Sequence, residues 1–270
     1  MARRRLRYFT HRGRRAHPSS VVYHLGSLVL PLALVTFGSL IAFGVTLTPI
    51  DIVRDSVSLA GALGLSLLRL FGAYLLSLLI GIPLGLLAES NRHVEAALLP
   101  VFDVLESMPV LAFFPVIIIF FVHSGWLEGA ALFIIFFSMV WNIAFSTVGG
   151  LKVIPEDVKA VGKVFGFSPF KRFTNITLPA LFPPLITGSI LSLADGWNVL
   201  IVAEALHAYA PAGSGAADLF GIGSILVSAS AAGNTSVLLT AMGLLVVVIA
   251  VINLVVWQPL LARAERFKFE

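Results

Sequence analysis

Ionisable side chains stand inside otherwise apolar stretches of this 270-residue chain, among them Arg69, Glu106, Asp195 and Glu204. A charge at membrane depth is costly, so such a residue either pairs or acts on an ion, a proton or a solute. Asp195 has Ser192, Trp197 and Asn198 close by in the chain, and Ser107 follows Glu106. Together these groups could line a polar route through lipid. Arg69 and Glu204 lie toward the same end of their stretches, where an ion pair that ties helices together is the simpler reading and a place on the route is the alternative. Asn142, beside Trp141 in mid-stretch, more often bonds a neighbouring helix than a solute. Deep carboxylates suit a cationic or neutral hydrogen-bonding solute better than an anion, unless they are protonated or paired. Glu106 and Asp195 could also form a proton relay, the chemistry of a secondary transporter, but that reading expects an inverted repeat and none is visible.

Other chemistries find little support. The histidines (His11, His17, His24, His93, His123 and His207) are scattered, with no H-E-x-x-H and no Ser-His-acid arrangement. No catalytic or metal site is expected. There is no cysteine, which excludes disulfides and thiolate metal sites. No G-x-x-x-x-G-K-[ST] phosphate loop occurs, so nucleotide binding of that kind is not expected here.

The elements that must position these residues are membrane helices. Hydrophobic residues make up 58% of the chain and charged residues 12%, against about 45–50% and 25% in soluble domains. The apolar runs are continuous rather than alternating, which argues for helices and against a barrel. We read an all-α, polytopic fold with six transmembrane helices at about 21–46, 60–87, 99–122, 128–149, 180–206 and 236–258. The first run is longer than the apolar part of a cleaved signal and is kept as a helix. Residues 1–20 form a basic tail, 21–258 one membrane domain with a polar loop at about 151–179, and 259–270 a C-terminal tail.

Basic residues set the orientation. Seven arginines fall in the first 15 residues, Arg92 lies between spans 2 and 3, and Lys152, Lys159, Lys163, Lys171 and Arg172 lie between spans 4 and 5. Arg263, Arg266 and Lys268 follow span 6, so one side holds 16 of 18. That side is cytoplasmic, with both termini inside. The N-terminal arginines read as a tail near anionic lipid headgroups, not a nucleic-acid arm. Span 2 carries a stripe of small residues (Ala73, Ser77, Gly81 and Gly85) that invites close approach by another helix of the same chain, with Pro83 as a bend. Pro109 and Pro115 mark span 3, and Pro183-Pro184 open span 5. The outer stretch from about 208 to 235 holds an apolar patch, Leu219–Val227, expected as a short or re-entrant helix.

The loop has its own pattern. Pro155 can start a helix, with Glu156 and Asp157 at its positive end. Val158, Val161 and Phe165 would share one face. Gly166 ends it, and Ser168-Pro169 caps a second short helix through Phe170 and Phe173. Such an apolar stripe can bury itself against its own bundle or fill a groove on another protein.

This loop resembles the cytoplasmic EAA loop of ABC-importer permeases. Gly166 and Leu178-Pro179 match at the family spacing, while Ala160-Val161-Gly162 stands where Glu-Ala-Ala would be. Ser66-Leu-Leu-Arg69, Gly81-Ile-Pro83-Leu-Gly85 and Met108-Pro109 through Pro115 are similar to the nitrate/sulfonate/bicarbonate (taurine-type) branch. So are Gly221-Ile-Gly223-Ser224, Gly233-Asn234 and the run from Asn253 through Trp257 to Leu260.

The resemblance implies a transmembrane permease subunit, not an enzyme, moving a small solute, nitrate-, sulfonate- or bicarbonate-like, by alternating access. Its coupling helix would dock on ABC ATPase subunits through Val158, Lys159, Ala160, Val161, Gly162, Phe165, Gly166, Phe167, Leu178 and Pro179. ATP and Mg would sit on that partner, with no cofactor in this chain. A second permease copy (identical or a paralogue), an extracytoplasmic substrate-binding protein and membrane lipid complete the expected partners. The expected location is a bacterial or archaeal plasma membrane.

Overall fold

The computed structural model describes residues 49–210, 213 and 215–265, of which 49–57, 159 and 161–163 are described by backbone alone. The described residues are helical, with no strand among them. Helix α1 spans Pro49–Glu89 and α2 spans Arg92–Ser107. A bent continuation, α3, spans Val110–Val122, and α4 spans Leu127–Val153. Then come α5 (Glu156–Val164), α6 (Pro169–Glu204), α7 (Leu206–Tyr209), α8 (Ile222–Ala231) and α9 (Thr235–Ala264).

Four of these helices are long and apolar enough to cross a membrane, or five if the bent pair α2–α3 is one span. The expected span at 21–46 and the tail at 1–20 lie outside the described residues, so the described chain supplies five of the six expected spans at most. The third expected span, 99–122, is not one rod: α2 and α3 meet at 97°. The break falls at Met108, whose ψ of 128° is extended. A residue before proline is pushed out of the helical region, and Pro109 imposes this here. The fifth span starts at Pro169 rather than near 180, and Pro183-Pro184 sit inside an unbroken helix. A widened π-turn, Phe173–Thr177, stands just ahead of Leu178-Pro179. A second, Asn253–Trp257, stands just ahead of Gln258-Pro259. Proline lacks an N–H and crowds the preceding turn, and local widening absorbs both defects without ending the helix.

Helix α4 is the centre of the molecule and packs along α1 on one side and α6 on the other. Its Ile134, Ile135, Met139 and Ile143 are wholly buried. Between helices in lipid there is no water-driven attraction, so close backbone approach must supply contact. The small-residue stripe on α1 serves α4: a Cβ at Gly81 would lie 2.9 Å from Ile143 and from the Val140 carbonyl, and one at Gly85 2.8 Å from the Ala144 carbonyl. On the other side, a Cβ at Gly150 of α4 would meet Pro184 of α6 at 2.5 Å. Tyr74 donates to Ser189 at 2.7 Å, joining α1 to α6 directly. Helix α8 fills the end of the bundle near Arg69, with Ile222 wholly buried. By contrast, α9 leaves Met242, Val246, Val251 and Val255 exposed.

Candidate functional site

Three places gather the residues singled out above. The first is a buried ion cluster. Arg69 of α1 grips Glu128, in the first turn of α4, with Nε and Nη2 both at 2.7 Å. Its Nη1 donates to Glu204 at 2.8 Å and to the Phe220 carbonyl at 3.0 Å. Glu204 is 0% exposed and Arg69 6%. The Glu204 carboxylate is almost fully used: Oε1 also accepts from Ser66 at 2.7 Å, and Oε2 accepts from the Gly223 amide at 2.8 Å. That amide lies in the first turn of α8, where the helix dipole favours a negative group. Ser66 accepts in turn from the Ile222 amide at 2.9 Å. A Cβ at Gly221 would run into the Glu204 carboxylate, so glycine is required there for space, its φ of −172° being ordinary. The expected Arg69–Glu204 pair is therefore present. Glu128, Ser66 and the α8 amides complete it: the sequence marks Ser66 and Gly221-Ile-Gly223 only as motifs, and Glu128, 59 positions from Arg69, carries no local signal.

The second place is a cavity of about 240 Å³ between the α2–α3 bend, α4 and α6. Glu106, Asp195 and Asn198 line it with Ser138, Phe137 and Trp141. Asp195 and Asn198 are one helical turn apart and share a face of α6. Asn142 donates to Asp195 Oδ2 at 2.6 Å, so this mid-span amide does bond a neighbouring helix. Ser192 and Trp197 do not join the cavity. Ser192 is buried and donates to the Met139 carbonyl at 2.9 Å, while Trp197 packs against the main core. Ser107 is exposed and bonds its own helix at the Asp103 carbonyl. Among the described residues no group of three or more His, Cys, Asp or Glu is placed to hold a metal ion.

The third place is the segment between α4 and α6. Glu156 and Asp157 occupy the first turn of α5. The chain leaves α5 through Gly166, whose φ of +62° is left-handed backbone that glycine adopts without strain. Ser168 then caps α6 by accepting from the Lys171 amide. Val158 packs onto the bundle end formed by Ile143, Leu151 and Leu181. The single apolar face expected for Val158, Val161 and Phe165 is split, because α5 ends at Val164 and Phe165 lies beyond it. Phe165 lies against the half-buried Phe167 in a tilted arrangement, centroids 6.2 Å apart, and is 70% exposed. Val164 and Phe170 are exposed too, at 81% and 74%. Ala160 is exposed, Leu178 is 42% exposed and Pro179 half-buried. Lys159, Val161 and Gly162 are described by backbone only, inside α5. At the same end, Lys152 of α4 pairs with Glu95 of α2.

Residues 81–264 match the family model described as the inner membrane component of binding-protein-dependent transport systems. The chain is 33% identical over 139 residues to the bicarbonate transport system permease protein CmpB of Synechococcus elongatus, covering 52% of this chain and 49% of that protein. It is 32% identical over 141 residues to the nitrate import permease protein NrtB of a Synechocystis species, covering 52% and 50%. It is 27% identical over 146 residues to the taurine transport system permease protein TauC of Escherichia coli, covering 54% and 52%. The chain thus spans about half the length of these relatives in each match.

Proposed function

Because the chain belongs to the family of inner membrane components of binding-protein-dependent transport systems, we propose that it is the transmembrane permease subunit of an ATP-driven importer. In this reading an external binding protein delivers a small solute to the permease. Two permease copies, identical or paralogous, enclose the route. Separate ATPase subunits carry ATP and Mg, and the end of the bundle that carries Lys152 and Ala264 faces them in the cytoplasm.

The reading rests above all on the segment from Glu156 to Pro179. An apolar group left in water is a poor end state, and Val164, Phe165 and Phe170 are apolar, adjacent and exposed. A short helix with such an edge suits a groove on a soluble partner. Val158 meanwhile roots α5 in the bundle end, and Ser168 ties the other side to α6. A push on α5 is therefore delivered to α4 and α6, the two helices that flank the cavity. Closure of an ATPase dimer would rock these helices and expose the cavity to alternate sides. Glu106, Asp195 and Asn198 would line the route. Arg69 and Glu204 would hold α1, α4, α6 and α8 as one rigid block that moves together.

Co-purification with the ATPase, followed by Gly166→Val, tests this. Valine in left-handed backbone costs about 1–2 kcal/mol, so the bend is displaced while the spans are untouched. The expected result is normal membrane insertion with loss of substrate-stimulated ATP hydrolysis. Phe165→Ser, which leaves the backbone alone, should weaken ATPase capture. Unchanged capture and coupling in both variants would overturn the proposal.

A further inference from the structure

The cavity has a chemistry of its own. Two of its walls carry carboxylates, Glu106 and Asp195, and no lysine or arginine lines it among the described residues. Asp195 Oδ2 is held by Asn142, while Oδ1 and both Glu106 oxygens accept no hydrogen bond from the described residues. The third wall is aromatic: Phe137 and Trp141 meet edge to face at 5.4 Å. Trp141 is 7% exposed, and its indole N–H has no acceptor among the described residues. At about 240 Å³ the space is smaller than a pocket for a drug-sized ligand and fits a single-ring or short-chain solute.

Glu106 and Asp195 are exposed along the cavity, and carboxylates within apolar spans call for a counter-charge. An oxyanion would meet like charge on two sides. A cation with N–H donors would find free carboxylate oxygens, an amide partner in Asn198 and an aromatic face suited to cation–π contact.

We propose that the cavity between Glu106, Asp195 and Trp141 binds a small organic cation of the amine or amidine class. This rests on the transport reading only in taking the cavity as part of the solute route. Glu106 and Asp195 supply the charge recognition, Phe137 and Trp141 the apolar contact, and Asn142 holds Asp195 in place.

Benzamidine and benzoate are nearly the same shape and opposite in charge. Binding of each to the purified full chain in nanodiscs of zwitterionic lipid, by calorimetry or equilibrium dialysis, tests the proposal. Benzamidine should bind at least tenfold tighter than benzoate. Asp195→Asn with Glu106→Gln should abolish that preference, and Trp141→Leu should weaken benzamidine binding while keeping the preference. Equal or tighter binding of benzoate, no benzamidine binding at millimolar concentration, or a preference that survives the double substitution would each overturn it. Binding by the isolated chain requires no ATPase. A failure here therefore leaves the coupling segment untouched, and a failure of the Gly166 and Phe165 variants leaves the cation site untouched.

Discussion

Arg69 Nη1 lies 2.8 Å from Glu204 Oε1, and the two side chains tie the middle of α1 to the last turn of α6 with almost no access to solvent. Removing one member of a buried pair leaves an uncompensated charge, which costs more than the pair is worth. Glu204→Gln keeps the shape but offers one acceptor oxygen where two are used, so an amide N–H₂ must face either the Gly223 amide or the Arg69 and Ser66 donors. We expect a loss of about 3–5 kcal/mol. Thermal unfolding in detergent should show a clear drop in Tm for Glu204→Gln, and Arg69→Met with Glu204→Met should lose less than the two single changes added together. A Glu204→Gln protein that melts like the parent would contradict the pair's role as a lock.

Two glycines on the same helix should respond in opposite directions. Gly85→Ala puts a methyl group against Thr147 and the Ala144 carbonyl of α4, and overpacking of this kind costs about 1–3 kcal/mol. Gly61→Ala meets nothing within 4 Å on an exposed face of α1. There alanine should gain about 0.5–1 kcal/mol through its better helix propensity. Guanidinium or heat titration of both variants checks the sign, and a destabilised Gly61→Ala would count against the helix packing described.

At Gly166 the requirement is conformational and not spatial, since a Cβ there meets nothing within 4 Å. Asparagine tolerates left-handed backbone far better than valine does. Substrate-stimulated ATP hydrolysis should therefore rank glycine above asparagine above valine. A ranking by side-chain size alone, with alanine equal to glycine, would show that the bend is not what matters.

Losing the Ser168 cap should act more mildly. Ser168→Ala removes the acceptor for the Lys171 amide at the start of α6 and should cost about 1 kcal/mol of local helix stability. Hydrogen exchange at residues 169–172 should quicken while the buried turns around Leu193 and Leu200 stay protected. Faster exchange throughout α6 would mean that the cap governs the whole span.

Much of this molecule was legible because local pattern suffices for it. Continuous apolar runs announce helices in lipid, since a backbone without water must bond to itself. Pro109, Gly166 and Ser168 each act on their own backbone or on that of residues within a turn of them, so the bend, the left-handed turn and the cap are written where they occur. The fifth and sixth spans differ in length from the sequence expectation for the converse reason: the fifth begins as helix ahead of its apolar run and the sixth continues beyond it, each through a widened turn that no composition rule reveals.

The sequence by itself determined that the chain is helical, apolar and marked by ionisable residues within its apolar runs. Only tertiary structure decided which of those charges meet. Arg69 finds Glu128 59 positions away and Glu204 135 positions away. Neighbours in the chain part company by the same logic: Trp197 packs against the core while Asn198, the next residue, faces the cavity. A helix rotates about 100° per residue, so sequence adjacency carries no information about a shared face until its neighbours are in place.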